Sequence, residues 1–318
     1  MSRYPFRECV NKVMEAYTGN RAQSTLEVMG RRYNRMEKEI TALYRDGQLS
    51  TTAPKNLTPT DIERYYTFLR SKTVGDKPIE IRSIKKDLID LDKLCKFDGN
   101  NCIDVFRHRC PALSRPDSRE RYSTFSKSEC EEIIEYAAAV EPGDFRRIRA
   151  YGLLGLYFGA GLRTVEAVNV EAENIHLDDD AAYVHLTVVK GQDTYGHHRD
   201  ALIIPCFVPM IRRYMTARRR YLDGFSRDSK YVFFGMDGFN KLSDKTIRQI
   251  RNIAEQDLGL RFDGRKCRRS YGQYLKDHDI DIETVSSFMG HSTTKTTEQY
   301  YARISPELAM EKARRKLV

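Results

Sequence analysis

Between Arg109 and Ser126 the chain reads RCPALSRPDSRERYSTFS, and the apolar rhythm of the preceding segment stops there. Two prolines, several serines and no repeating apolar spacing cannot form one face of a helix or strand. The stretch therefore predicts a linker, 111–125, between a first domain at 1–110 and a second at 126–318. This break restricts the fold to architectures with two separate cores, and 318 residues are enough chain for both.

Ahead of the break everything reads as helix. Ser24 and Glu27 have the spacing of a capping box, and Leu26, Met29, Tyr33, Met36, Ile40 and Leu43 form one stripe at helical spacing. Arg31, Arg32 and Arg35 lie off that stripe. Thr58-Pro59 starts another helix with Ile62, Tyr65 and Leu69 as its apolar positions. A third carries Ile81, Ile84, Leu88, Leu91 and Leu94, with Lys85 and Lys86 facing away. Basic residues opposite an apolar stripe form either a solvated face or a surface for a polyanion, and their recurrence on successive helices keeps both open.

The second domain is mixed. Ser126 with Glu129 caps its first helix, and another helix ends near Phe158-Gly159-Ala160-Gly161, with a new start about Thr164. Ala181–Val189 and Ala201–Pro205 read as two strands of a β-hairpin whose tip is KGQDTYGHHRD. Helices are predicted over Ile211–Leu222, Asp244–Leu258, Arg265–Lys276 and Ile282–Met289. A last one, Ser305–Leu317, has Pro306 and Glu307 in its first turn and Arg314, Arg315 and Lys316 in its last.

Charge and cysteine usage narrow the chemistry. There are 54 Lys and Arg against 45 Asp and Glu, a net +9 spread along the chain, which favours a nucleic-acid partner over a neutral one. The seven cysteines include no CxxC pair and no zinc spacing, so reduced thiols in a cytoplasm fit better than a disulfide framework. The N-terminal MSRYPFRECVNK lacks the apolar core of a signal peptide. The longest uncharged run, Ala150 to Leu162, is shorter than the roughly 17 to 25 residues that span a bilayer. The chain reads as soluble and cytoplasmic, with no membrane partner.

Four segments of the second domain carry chemistry. GLYFGAGLRTVEAVNV holds Arg163 and Glu166, Lys190 follows the first hairpin strand, RKCRRSYGQYL holds Arg265 and Arg268, and MGHSTTKTTEQYY holds His291 and Tyr300. Taken singly each has a plainer reading: Arg163 as a helix cap, Lys190 as a solvated turn lysine, His291 as a core or capping histidine, Tyr300 as one of 19 tyrosines. In this order and at these intervals they resemble the active-site boxes of the tyrosine recombinases, the family of phage integrases. The resemblance extends to archaeal and archaeal-virus integrases.

That resemblance implies a mainly α, two-domain tyrosine recombinase architecture. A helical core-binding domain would join an α-rich catalytic domain with a small antiparallel β-sheet, the two clamping DNA. It implies double-stranded DNA with specific recombination sites as substrate and a homo-oligomer, a tetramer on DNA, as the working form. Arg31, Arg32, Arg35, Lys85 and Lys86 are then candidate DNA contacts. No cofactor or metal is implied, because a phosphotyrosine bond keeps the energy of the bond it replaces. The chemistry fits these residue types: guanidiniums match the spread negative charge of a phosphodiester in transition, each such donor being worth roughly 3 to 4 kcal/mol in other enzymes. Arg163 and Arg268 are assigned to the scissile phosphate and His291 to a further hydrogen bond on it. Lys190 is the general acid for the leaving 5′ oxygen, Tyr300 the nucleophile, and Glu166 a support that orients an arginine. Tyr300 stands ten residues beyond Gly290, the family's interval, and Tyr301 is the fallback.

Two positions depart from the family pattern. The histidine usual three residues before the second-box arginine is Arg265 here, as in some archaeal relatives, and Arg265 cannot shuttle a proton; Lys266 is the alternative occupant. The short Gly-Lys-Gly hairpin turn is replaced by GQDTYGHHR, where His197 and His198 are exposed loop residues or minor-groove contacts. Competing readings are a strand-swivelling type IB topoisomerase, which shares the tyrosine and arginines, and a non-catalytic DNA-binding regulator. A metal-dependent nuclease ranks below both for want of a carboxylate cluster.

Overall fold

A computed structural model describes residues 4–114, 123–178, 181–189 and 197–300, with Met310, Ala313 and Arg314. The chain divides into two compact units, Met1–Glu120 and Arg121–Val318, each with its own apolar core. Most of the described chain is helical, and its sheets are small and antiparallel.

The first unit contains α1 (Pro5–Tyr17), α2 (Gln23–Arg45), α3 (Pro59–Ser71), a two-residue ribbon β1–β2 (Thr73–Val74, Lys77–Pro78), α4 (Ile81–Phe97), α5 (Cys102–Arg109) and α6 (Pro111–Ser114). The stripe on α2 is buried from Leu26 to Leu43 as its spacing predicts. The expected Ser24 cap is absent: α2 begins at Gln23 behind Ala22, so Ser24 already sits inside the first turn, where its hydroxyl cannot serve as the cap. Thr58 does cap α3, in a reciprocal box with Asp61, whose carboxylate also accepts from the Ser50 amide at 2.8 Å. On α4, Ile84, Leu88, Leu91 and Leu94 are buried, whereas Ile81 in the first turn is exposed.

Asp87 and Asp90 share the buried side of α4, and cations from α2 come to meet them. Arg35 donates to Asp87 at 2.5 Å, and Arg32 reaches both Asp87, at 3.5 Å, and Asp90. Burying a carboxylate without such a partner is costly, so these pairs are part of how the two helices pack.

The second unit begins with α7 (Lys127–Ala139), where Ser126 and Glu129 form the expected capping box. Next comes α8 (Phe145–Gly159), buried at every position from Ile148 onward and the axis of this core. Gly152 lets the later helix that carries Tyr214 approach closely: a Cβ there would stand 2.5 Å from the Tyr214 side chain. α9 (Thr164–Asn169) leads into a sheet of order β3-β4-β5 (Ile175–His176, Tyr183–Leu186, Arg199–Leu202). The hairpin is thus present, with a third strand that the sequence reading did not include, and β5 starts two residues earlier than expected. Then follow α10 (Val208–Gly224), α11 (Asp244–Leu258), α12 (Gly264–Asp277), α13 (Ile282–Met289) and α14 (Thr294–Tyr300).

The start of this unit is stitched to α12. The Phe125 amide donates to Ser270 Oγ at 2.8 Å, its ring packs against Phe158 and Phe262, and Arg269 Nε donates to the Ser123 carbonyl at 3.4 Å.

Candidate active site

The centre of the site is a carboxylate. Glu166 lies in the first turn of α9 and is fully buried, at 0% exposure. One of its oxygens accepts from the backbone amide of Arg163 at 2.7 Å, which starts the helix, and the other from Arg163 Nη1, also at 2.7 Å. The chain arrives there through Gly161, whose left-handed backbone (φ +61°) makes the turn out of α8. A Cβ on Gly161 would stand 2.5 Å from the Tyr271 ring, and its carbonyl accepts from Arg268 Nη1.

Arg268 comes from α12, which Asp263 caps by accepting from the Arg265 amide at 3.0 Å. Only 3% exposed, it reaches the carbonyls of Gly161 and Met289, and its Nη1 is 3.9 Å from Glu166. Its Nη2 lies 3.3 Å from His291 Nε2.

His291 is delivered by the end of α13. Gly290 takes a left-handed conformation (φ +60°), the amide of His291 bonds to the Ser286 carbonyl and that of Gly290 to Ser287, a closed C-terminal motif. The other ring nitrogen, Nδ1, is 2.7 Å from Thr297 Oγ1 on α14. Since Nε2 faces a guanidinium donor, it accepts, and the proton sits on Nδ1 and points to Thr297. Burial first, then the charges of Arg268, Arg163 and Arg199, push the His291 pKa down to about 3, so the ring is neutral.

Glu166 shows the opposite response. Burial alone would raise its pKa, but hydrogen bonding and charge from Arg199, with the charges of Arg268 and Arg163, bring it down to about 2. Three guanidiniums thus share one carboxylate, leaving the neighbourhood strongly positive. Arg163, the most open of the three with 24% of its side chain exposed, holds the Gly290 carbonyl at 3.0 Å.

Of the sequence-predicted residues, Arg163, Glu166, Arg268 and His291 come together. Arg265 is exposed in the first turn of α12, three residues ahead of Arg268. Lys266 points elsewhere: its Nζ lies 3.7 Å from the Phe125 ring and 3.7 Å from Glu129. Tyr300 closes α14 three positions after Thr297, and its side chain lies outside the described residues, as do Lys190, Tyr301 and most of Ser305–Leu317. His197 and His198 are exposed. In the first unit Arg31 and Lys86 are exposed and Lys85 half-buried, while Arg32 and Arg35 are engaged by the acids of α4.

Two residues at this site were not read from the sequence. Arg199 opens β5, forks onto both Glu166 oxygens at 2.9 and 3.1 Å, and donates Nε to the Phe288 carbonyl at 2.9 Å. Thr297, fully buried, holds His291. A signal for Arg199 existed in the alternation of RDAL: Ala201 faces the core, so Arg199, two residues back, faces inward too and needs a buried acid. Among the described residues no cluster of His, Cys, Asp or Glu is arranged to hold a metal, and no helix is long and apolar enough to cross a membrane.

The profile of the phage integrase family matches residues 123–307. Tyrosine recombinase XerA of Pyrococcus furiosus is 28% identical over 271 residues, covering 84% of each chain. Among solved structures, XerH site-specific recombinase bound to palindromic difH substrate aligns with a TM-score of 0.67 at 14% identity, over 92% of this chain and 80% of that one. A lambda integrase tetramer bound to a Holliday junction aligns with a TM-score of 0.61 at 14% identity, over 94% and 79%. At those identities the solved structures speak for the fold alone.

Proposed function

Because the chain belongs to the phage integrase family, we propose that it is a site-specific DNA recombinase that cuts and rejoins strands through Tyr300. The observation that carries this reading is the gathering of Arg163, Arg199 and Arg268 around the single buried carboxylate of Glu166, with His291 at its edge. An uncompensated positive centre of this kind suits one anionic group better than a neutral substrate.

In the proposed reaction Arg163, Arg268 and His291 hold the non-bridging oxygens of the scissile phosphate. The Tyr300 oxygen attacks phosphorus, the bond to the 5′ oxygen breaks, Lys190 protonates that oxygen, and the phenol proton passes to solvent. Arg265 serves the phosphate as a hydrogen-bond donor. Rejoining is the same exchange in reverse, so neither ATP nor a metal is required. His291 must change on binding: with its proton on Nδ1, Nε2 can donate to phosphate only after the tautomer switches or the ring gains a second proton. The arriving negative charge favours that gain, because it opposes the guanidiniums that keep the ring neutral.

The DNA-bound XerH and the lambda integrase tetramer support double-stranded DNA as the partner and a tetramer on two sites as the working assembly. The same reading places the protein on DNA in the cytoplasm. Affinity should rest largely on phosphate contacts and fall steeply with salt.

The test is a nicked DNA substrate in EDTA, with denatured products examined for protein joined to a DNA 3′ end, alongside Tyr300→Phe and Tyr301→Phe. An adduct lost only in Tyr300→Phe is expected. Tight, specific binding with no adduct would instead mark a DNA-binding regulator.

A further inference from the structure

Arg199 has no place in the proposed exchange of bonds, yet it is among the most constrained side chains of the site. Only 8% of its side chain is exposed, and all three nitrogens of its guanidinium already donate within the protein. Its three described contacts join elements far apart in sequence: both oxygens of Glu166 at the start of α9, and the Phe288 carbonyl in the last turn of α13.

The turn that carries His291 is shaped around this side chain. A Cβ built on Gly290 would stand 2.8 Å from Arg199 Cδ, 2.9 Å from Nε and 3.0 Å from Cζ. Arg199 cannot swing aside cheaply, because the fork to Glu166 and the bond to Phe288 both fix the same guanidinium. Glycine at 290 is therefore required twice, once by its left-handed backbone and once by the room Arg199 occupies. The next peptide group along, Gly290 C=O, accepts from Arg163.

We propose that Arg199 is a positioning residue for phosphodiester exchange: it fixes Glu166, and through it Arg163, and it locks the α13–α14 turn that presents His291. It touches no reacting atom. Its effect is to hold two phosphate-binding side chains in one geometry, and a displacement of about 1 Å at such groups can cost on the order of 100-fold in rate. Lysine cannot replace it, because one ammonium on a flexible stem does not supply a planar fork to two oxygens together with a third donor to a carbonyl.

This inference rests on the recombinase reading, and the experiment separates the two. Single-turnover formation of the 3′ adduct on nicked DNA, and DNA affinity, are measured for the parent, Arg199→Lys, Arg199→Gln, Gly290→Ala and the double variant Arg199→Gln/Gly290→Ala. The expected result is affinity like the parent's with cleavage slower by about 100-fold in Arg199→Lys. The double variant should be no slower than its slower single, since Gly290→Ala acts in part by displacing Arg199. Should Arg199→Gln fail to fold, Arg199→Lys, which keeps a cation beside Glu166, decides alone. Parent-like cleavage by Arg199→Lys, or singles whose effects multiply in the double variant, overturns the inference while leaving the recombinase reading in place. A parent that forms no adduct overturns both.

Discussion

Two clusters of arginine and carboxylate, one in each unit, are built from the same side chains and behave differently. In the first, Arg32, Arg35, Lys72 and Lys93 face Asp87, Asp90 and Glu39, so positive and negative charge nearly balance. In the second, among the described residues, Arg163, Arg199 and Arg268 face Glu166 alone. Burial raises the Asp87 pKa despite Arg35 and Arg32, and Glu39 nearby adds to the rise. Burial pushes Glu166 the same way, yet its three arginines win and lower it to about 2. An arginine count therefore does not mark an anion site. The local excess of cations over carboxylates does, because only the excess is left for a ligand.

The largest difference should appear on neutralising each acid. Glu166→Gln leaves Arg163, Arg199 and Arg268 side by side without a counter-charge, a loss of about 3 to 5 kcal/mol. Asp87→Asn, whose main partner Arg35 is 46% exposed, should cost under about 1 kcal/mol. Urea unfolding of both variants checks this, and equal losses would break the comparison.

Acid should separate the clusters next. Glu166 is lowered from 4.5 to about 2, so its contribution, on the order of 3 kcal/mol, is present above its unfolded pKa and lost as pH falls toward 2. Asp87 is raised, so its contribution has the opposite sign: it favours the folded state at low pH and fades as pH rises through the raised value. Hydrogen exchange followed between about pH 5 and about pH 3 should show the peptides of α9 and β5 loosening before those of α4. The reverse order would mean that the arginines do not hold Glu166 ionised.

The smallest effects concern DNA. Arg31→Ala and Lys86→Ala, at exposed positions, should each reduce the slope of log affinity against log salt by about 1, with stability unchanged within about 0.5 kcal/mol. Arg35→Ala should leave that slope almost alone, since its guanidinium is held by Asp87. A full unit lost at Arg35 would show that DNA draws it away from Asp87, and the contrast between the clusters would then narrow.

Sequence patterning carried the helical stripes of α2 and α3, the hairpin, and four members of the site, because each depends on residues close together in the chain. Arg163 with Glu166 is a single helix start, and His291 follows one glycine. What escaped depended on distant partners. Arg199 stands 33 residues from Glu166, and nothing between them names the pairing. Arg32 and Arg35 read as a free face because the acids that take them lie more than fifty residues on. A hint was available there too: Asp87 falls three residues after Ile84, on the apolar side of α4, where an acid needs a cation brought to it. The Ser24 cap failed for a local reason, since a helix that begins two residues early makes a good cap residue an ordinary interior one.

The stitching of Phe125 gives the second unit a fixed starting point. At Ser123 and Phe125 the chain meets Arg269, Ser270 and Lys266 of the helix that also carries Arg268. Phe125 is held by Ser270 of α12 and by the rings of Phe158 and Phe262, while the Arg268 guanidinium turns to the carbonyls of Gly161 and Met289. The first described residues of this unit are thus set by the same helix that holds Arg268 beside Glu166.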